Sequence, residues 1–444
     1  MSTQHNQLKI GHFLIRVDAA LRGVLVFDVL MTLALMISYI TIPWWIIQKG
    51  TAQDLAIYGG ITAMAIFFFQ PLMAPICERY AKQKQLVQGT IALAFSALLF
   101  CLIATFDRYN FWLIITAGLV AVVANAFIDS AATTITPELI PTAQLAHALQ
   151  LRKRASSTGR FLGPIVGGGL LATAGITATL WAYLGLVIIA ILSACNIPST
   201  IKTRVATNKK GIELWWIELQ GGIKAKWAVP LERGWTLVNF LVWIFIGPAF
   251  NLFVPLKVHS LGLSAAWLGA CEASISIGML LGSFNLATFL INRFGRYRVR
   301  IFAAISEGLI LACVALCNQP YLLIMAFMCA GLANTLMVLV GSTHRALAIP
   351  KEFRIRISSV NKMSTQIAST IGPALAGIAL LHWPLPTVYM AFSLIAALCA
   401  AGFILIPRSK EFFSLDHEQV NDWYRKEYPS GFKTHYAEAS SRAR

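Results

Sequence analysis

Gly159-Arg160-Phe161-Leu162-Gly163-Pro164-Ile165-Val166-Gly167-Gly168 is the stretch on which the fold turns. Small residues four apart let one helix approach another closely, and the proline bends the segment. The stretch returns 209 residues later in looser form, as Ala368, Gly372-Pro373 and Ala376-Gly377. Two further landmarks keep that offset: Ala124-Asn125-Ala126 against Ala333-Asn334-Thr335, and Ile140-Pro141 against Ile349-Pro350. Arg22-Gly23 and Arg233-Gly234 lie 211 apart, which sets Asp28 opposite Asn239. A parallel repeat of this kind is expected of a transporter, with a substrate site near the midplane between two related bundles.

Composition agrees. The 444 residues are 57% hydrophobic and 12% charged, against about 25% charged in soluble domains. That excludes a secreted disulfide scaffold, a disordered chain and an ordinary cytosolic enzyme. Apolar runs of about 20 residues suffice to cross a bilayer, and each must close its own backbone hydrogen bonds as a helix. Twelve such runs are read near 24–47, 55–76, 86–106, 110–136, 159–176, 178–197, 235–256, 265–290, 299–317, 319–343, 364–382 and 385–407. The expected fold is an all-α membrane protein of twelve transmembrane helices in two six-helix bundles. The bundles cover 1–198 and 233–407, with a linker at 199–232 and a tail at 408–444.

The net charge of +17, from 36 Lys and Arg against 19 Asp and Glu, is an orientation signal. With the N-terminus in the cytoplasm, 32 of the 36 cations fall on the inner side, and only Lys49, Arg108 and Lys257 fall outside. Both termini are therefore expected in the cytoplasm, and no nucleic-acid partner is expected. The first 22 residues are too polar for a cleavable signal, so the first span would serve as the anchor. In the linker, Trp215, Trp216, Glu218, Lys224, Lys226 and Trp227 suit an amphipathic helix on the inner surface. Eight cysteines with no CxxC pair read as small buried hydrophobes. No histidine has ligand spacing, so neither metal nor cofactor is expected, and His417 and His435 read as solvated tail. No HxxxH pair or Gly-x-Ser-x-Gly elbow supports an enzyme.

Two basic turns complete the pattern. Glu78-Arg79-x-Ala81-Lys82-Gln83-Lys84 follows the second span, and Asn292-Arg293-Phe294-Gly295-Arg296 follows the eighth. Both resemble the GxxxDRxGRR loop of the major facilitator superfamily, and the segment around Gly163-Pro164 resembles its gxxxGPxxGG exporter motif. Pro137-Glu138-Leu139-Ile140-Pro141, and Leu261-Gly262-Leu263-Ser264 leading to Gly278 and Gly282-Ser283, are similar to the enterobactin-exporter and macrolide-efflux branch. The resemblance implies the major facilitator fold and a monomer in the bacterial inner membrane. It further implies proton-driven export of a siderophore or amphiphilic drug-like compound. Uptake of a small metabolite on the same fold is the alternative. The fourth span, Phe111 to Thr136, lacks the arginine that many drug–proton antiporters keep there, which leaves that coupling route without its residue.

Ionisable residues inside a bilayer are costly and point to function. Asp28 is expected either to couple protons or to sit solvated at the cytoplasmic mouth. Asp129 and Arg160, on antiparallel neighbours, are expected to form an ion pair, with structural pairing or gating both open. Glu272 is a further coupling candidate, whereas Glu307 reads as a packing or hydrogen-bonding residue. Asn125 and Asn334 are expected to contact substrate or to bond neighbouring helices. Tyr39, Asn239, Trp243, Phe250 and Asn251 are weaker substrate candidates, and Trp44 and Trp45 read as interfacial belt residues.

Overall fold

The computed structural model describes residues 19–77, 81–140, 142–198, 211–283 and 285–432, and every regular element among them is helical. Among the described residues, eleven helical segments are long and apolar enough to cross a membrane. The first four helices are α1 (Ala19–Lys49), α2 (Ala52–Cys77), α3 (Lys82–Thr105) and α4 (Phe111–Leu139). Asn110 caps α4, its Oδ1 accepting from Trp112 N at 2.9 Å and Leu113 N at 3.3 Å, which satisfies donors that have no partner within the helix. The fifth and sixth expected spans run on as one segment, Thr142–Cys195, because no polar loop separates them. It breaks into two limbs, α5 and α6, at Gly175, whose φ of +78° and ψ of −179° only glycine adopts without strain.

The remaining chain forms α7 (Gly211–Ala228), α8 (Pro230–Asn251), α9 (Phe253–Ser260), α10 (Ala265–Ser283), α11 (Asn285–Phe294), α12 (Arg296–Leu316), α13 (Pro320–Ala348), α14 (Arg354–His382) and α15 (Leu385–Ala401). A proline opens α8, α13 and α15, where a missing N–H costs nothing. Contacts divide the chain into two compact units, Met1–Trp45 with Phe68–Ala206 and Ile46–Phe67 with Thr207–Arg444.

Within the first unit the quoted motif is a backbone-to-backbone seam between α5 and α1. A Cβ at Gly159 would stand 2.8 Å from Thr32 Cβ, one at Gly163 would collide with Met36, and one at Gly167 would reach 3.2 Å from Ile37 Cα. Gly89 of α3 lies likewise against Ile128 of α4, and Ser96 Oγ donates to the Ala117 carbonyl at 2.7 Å. The second unit repeats the seam. Gly372 of α14 leaves no room for a Cβ beside the Ile244 carbonyl and Pro248 of α8. Gly278 of α10 and Gly331 of α13 face the Met328 and Ile275 carbonyls in the same manner.

Three expectations change, and the linker is seen as a helix. The tail as far as Phe432 does not stay in solvent: α16 (Ser409–Ser414), α17 (His417–Val420) and α18 (Trp423–Glu427) dock on the second unit. Phe412 and Tyr424 are fully buried, and Phe413 packs edge-on to Trp235 at 5.4 Å. Its aromatic residues drive this burial despite the charges between them; His435 lies outside the described residues. Trp44 and Trp45 are buried rather than interfacial, Trp45 meeting the Tyr109 ring edge-on at 6.0 Å. Cys101 and Cys271 are buried as expected, but Cys195, Cys313 and Cys329 lie on the exposed surface of their helices. The linker helix α7 packs one side on α14, Gly222 meeting the Arg356 carbonyl, while Lys224 and Trp227 stay exposed.

Of the two basic turns, Glu78 and Arg79 lie outside the described residues. In the second, Asn292 and Arg293 are exposed, and Gly295 turns the chain into α12 at φ +79°. Arg296 Nη1 reaches the Leu415 carbonyl of the tail at 3.4 Å. The glycine seam gives a direct test. Gly163→Leu should cost about 1–3 kcal/mol through overpacking, read as a lower Tm and loss of monodisperse protein in detergent. Gly169→Leu, with nothing within 4 Å of its Cβ position, should leave both unchanged.

Candidate functional site

Asp28 is one of the few charged groups buried within a span, 7% exposed on α1. A carboxylate in such a setting needs a partner, and α5 supplies Arg152. The guanidinium meets it in a two-point fork, Nε to Oδ2 at 2.6 Å and Nη2 to Oδ1 at 2.7 Å. Its remaining nitrogen, Nη1, donates to Thr136 Oγ1 at 2.8 Å and to the Ala132 carbonyl, both on α4. One arginine therefore ties α1, α4 and α5 together. Sequence reasoning misses Arg152, which stands in the run Arg152-Lys153-Arg154 and passes for an inner-surface anchor.

The internal repeat maps this corner onto the second unit. Asn239 stands at the position of Asp28, Gly341 at that of Ala132, Arg345 at that of Thr136 and Asn361 at that of Arg152. All four line one cavity of about 190 Å³, together with Trp243 and Arg300. Its chemistry is the reverse of the first unit's: the acid has become an amide and two arginines have entered.

Arg345 is held by a carboxylate from α8. Its Nε donates to Glu232 Oε1 at 2.7 Å and its Nη2 to Glu232 Oε2. Tyr424 of the tail adds a third donor to the fully buried Glu232, Oη to Oε1 at 2.7 Å. Lys226 of α7, also fully buried, donates to Asn361 Oδ1. Because an ammonium can only donate, the Asn361 amide must turn its oxygen to Lys226, leaving its NH₂ as what it can offer elsewhere.

The other expected residues are dispersed. Asn334 Nδ2 donates to Glu307 Oε1 at 2.8 Å, so α13 is bonded to α12 there, the interhelical role that was open for both residues. Asn125 Nδ2 donates within its own helix to the Ala121 carbonyl at 2.9 Å. Asp129 and Arg160, expected to pair, are both exposed on their helices. The buried ion pair described at this corner is Asp28–Arg152. Glu272 is half-buried on α10 with no described cation paired to it, while Tyr39 and Asn251 are exposed. Of the substrate candidates, Asn239 and Trp243 line one cavity together.

Burial pushes the Lys226 ammonium down to about 8, Glu232 opposing the shift and Arg345 adding to it. The folded value lies below the ordinary 10.5, so charging this lysine penalises the fold. The penalty, roughly 3 kcal/mol, is complete below pH 8 and fades as pH rises from there toward 10.5. Wild-type Tm should carry a stabilising component between pH 8 and 10. Lys226→Met should raise Tm at pH 7 and remove that component, as read by thermal unfolding in detergent.

Comparison with known proteins places the chain. The sequence profile of the Major Facilitator Superfamily matches residues 25–306 and 267–423. The multidrug efflux pump Tap of Mycolicibacterium fortuitum is 23% identical over 391 residues, covering 84% of this chain and 92% of that protein. A mutant of the nucleoside transporter NupG superposes with a TM-score of 0.72 at 13% identity, over 87% of this chain and all of that one. A bacterial homologue of the iron transporter ferroportin, in an inward-facing state, gives 0.65 at 16% identity, over 86% and 97%. These structural likenesses carry the fold alone, since one fold serves unrelated cargoes. With its repeated glycine seam, its apolar helices and a family match along most of its length, this multi-pass membrane protein belongs to the Major Facilitator Superfamily of transporters.

Proposed function

We propose that the chain is a proton-driven exporter that moves an amphiphilic drug-like compound, or a siderophore, out of a bacterial cytoplasm by alternating access. On this reading it works as a monomer in the inner membrane with both termini in the cytoplasm, in the enterobactin-exporter and macrolide-efflux branch. The observation that carries the reading is the buried fork between Asp28 and Arg152. An ion pair in an apolar setting has two neutral outcomes for its acid: the arginine, or a proton. Protonating Asp28 would remove the charge-assisted bonds on α1 and free Arg152 from one of its three helices. The step would loosen α1 from α5 along the glycine seam, a local two-state element of the kind that alternating access needs. The name of the relative, a multidrug efflux pump that aligns over 92% of its own length, supports export over uptake.

Inside-out vesicles holding the protein test direction and coupling together. With an acidic lumen, a fluorescent amphiphile should accumulate in the lumen, and collapsing the pH gradient should release it. Asp28→Asn should abolish gradient-driven accumulation, by at least tenfold, while leaving the protein folded. Accumulation that ignores the gradient, persists in Asp28→Asn, or occurs only in right-side-out vesicles would overturn the proposal.

A further inference from the structure

Arg300 enters the second unit from α12 and is 5% exposed. It lies where Gly341 has no side chain, since a Cβ there would collide with Nη1. Nη1 donates to the Met337 carbonyl at 3.0 Å, and the guanidinium stacks 4.8 Å from the Trp235 ring centre and 4.6 Å from that of Phe403. A guanidinium has five N–H donors. Its Nε is buried with no hydrogen-bond partner, and no described carboxylate pairs with it. The carboxylate nearest in this network, Glu232, is already held at both oxygens by Arg345 and at one by Tyr424.

The cavity that Arg300 lines therefore holds two guanidinium groups and no carboxylate among its lining residues. Arg345 borders it, and the Asn361 NH₂ is the part of that amide left free by Lys226. Asn239 adds a second amide where the first unit has its acid. In the first unit the corner arginine, Arg152, meets its own carboxylate, Asp28; in the second, where Asn361 stands in its place and Arg300 enters from α12, nothing described on the chain does the same for Arg300. We propose that this cavity is an anion-binding subsite, in which Arg300, assisted by Asn239 and Asn361, takes a carboxylate or phosphate group. Guanidinium forks match the paired oxygens of such groups, and stacking on Trp235 and Phe403 presets the plane of the fork. Drug-sized pockets measure roughly 300–1,000 Å³, so a cavity of about 190 Å³ takes the anionic end of a larger amphiphile, or a lipid phosphate, but not a whole cargo molecule. The inference holds whichever way cargo moves and whatever drives it, so its test needs no transport.

Butyl phosphate is the probe, with butyltrimethylammonium as its cationic counterpart, titrated by calorimetry into full-length protein in an uncharged detergent. Butyl phosphate should bind and the ammonium should not. Arg300→Gln should weaken binding at least tenfold. Gly341→Ala, which puts a methyl where the guanidinium lies, should do the same and serves if Arg300→Gln fails to fold. Asn239→Asp should abolish binding and raise Tm, because it supplies the internal acid that the first unit has. Repeating the titration in nanodiscs of phosphatidylglycerol and of a phosphate-free neutral glycolipid identifies the source. Binding in both discs assigns the subsite to an anionic group of the cargo; binding only in glycolipid discs assigns it to a lipid phosphate. Equal binding of the ammonium, or butyl phosphate affinity unchanged in Arg300→Gln and Gly341→Ala, would overturn the proposal.

Discussion

A carboxylate within a membrane span has to be neutralised where it stands, and the Asp28–Arg152 fork is how this chain does it. The requirement reaches well beyond two side chains. Arg152 can meet Asp28 only because α5 and α1 run close, and they run close only because Gly159, Gly163 and Gly167 carry no side chains toward α1. The same arginine then has a nitrogen left for α4, where it takes Thr136 and a backbone carbonyl. Seam and ion pair thus form one device. The seam sets a backbone spacing at which the pair forms with good geometry, and the pair fixes the register of three helices in a medium that offers little hydrophobic drive for their association.

The second unit keeps the seam and changes the charges. Gly372 presses α14 onto α8 as Gly163 presses α5 onto α1. Yet Asn239 replaces the acid, Asn361 the base, and the compensating carboxylate arrives from another part of α8, Glu232. The tail completes this second arrangement. Tyr424 donates to Glu232, and Phe412 and Phe413 close over Trp235 and His344. Burial pushes the Tyr424 hydroxyl well above its ordinary value, with the Glu232 charge acting the same way, so it remains a donor throughout the physiological range. Duplicated architecture with divergent polar corners is what lets one unit carry a closed ion pair while the other keeps a cationic cavity.

Much of this is legible in the chain. Hydropathy marks spans because lipid demands it residue by residue, and the 209-residue repeat marks the seam because close approach tolerates few side chains. The repeat by itself also sets Asp28 opposite Asn239. What escapes a reading of the residues depends on rotation about helix axes. Arg152 looks like one cation of three on a surface, although the repeat that pairs it with Asn361 is present in the sequence. Asp129 and Arg160 lie on antiparallel neighbours, but both turn outward. The tail misleads for a different reason: interleaved charges lower its mean hydropathy and hide the aromatic residues that bury it. The run joining the fifth and sixth spans has no polar loop, so only the dihedral angles of Gly175 reveal the break.

Whether Asp28 and Arg152 act as one unit is decided by a double-mutant cycle, read by Tm and by gradient-driven accumulation. Arg152→Gln alone leaves a buried carboxylate unpaired and should cost roughly 3–5 kcal/mol, seen as a marked fall in Tm. Adding Asp28→Asn removes that carboxylate and should restore most of the lost stability, while gradient-driven accumulation stays absent in both. A double variant as unstable as Arg152→Gln, or one that still accumulates cargo in response to the gradient, would contradict the pairing of stability and coupling in this fork.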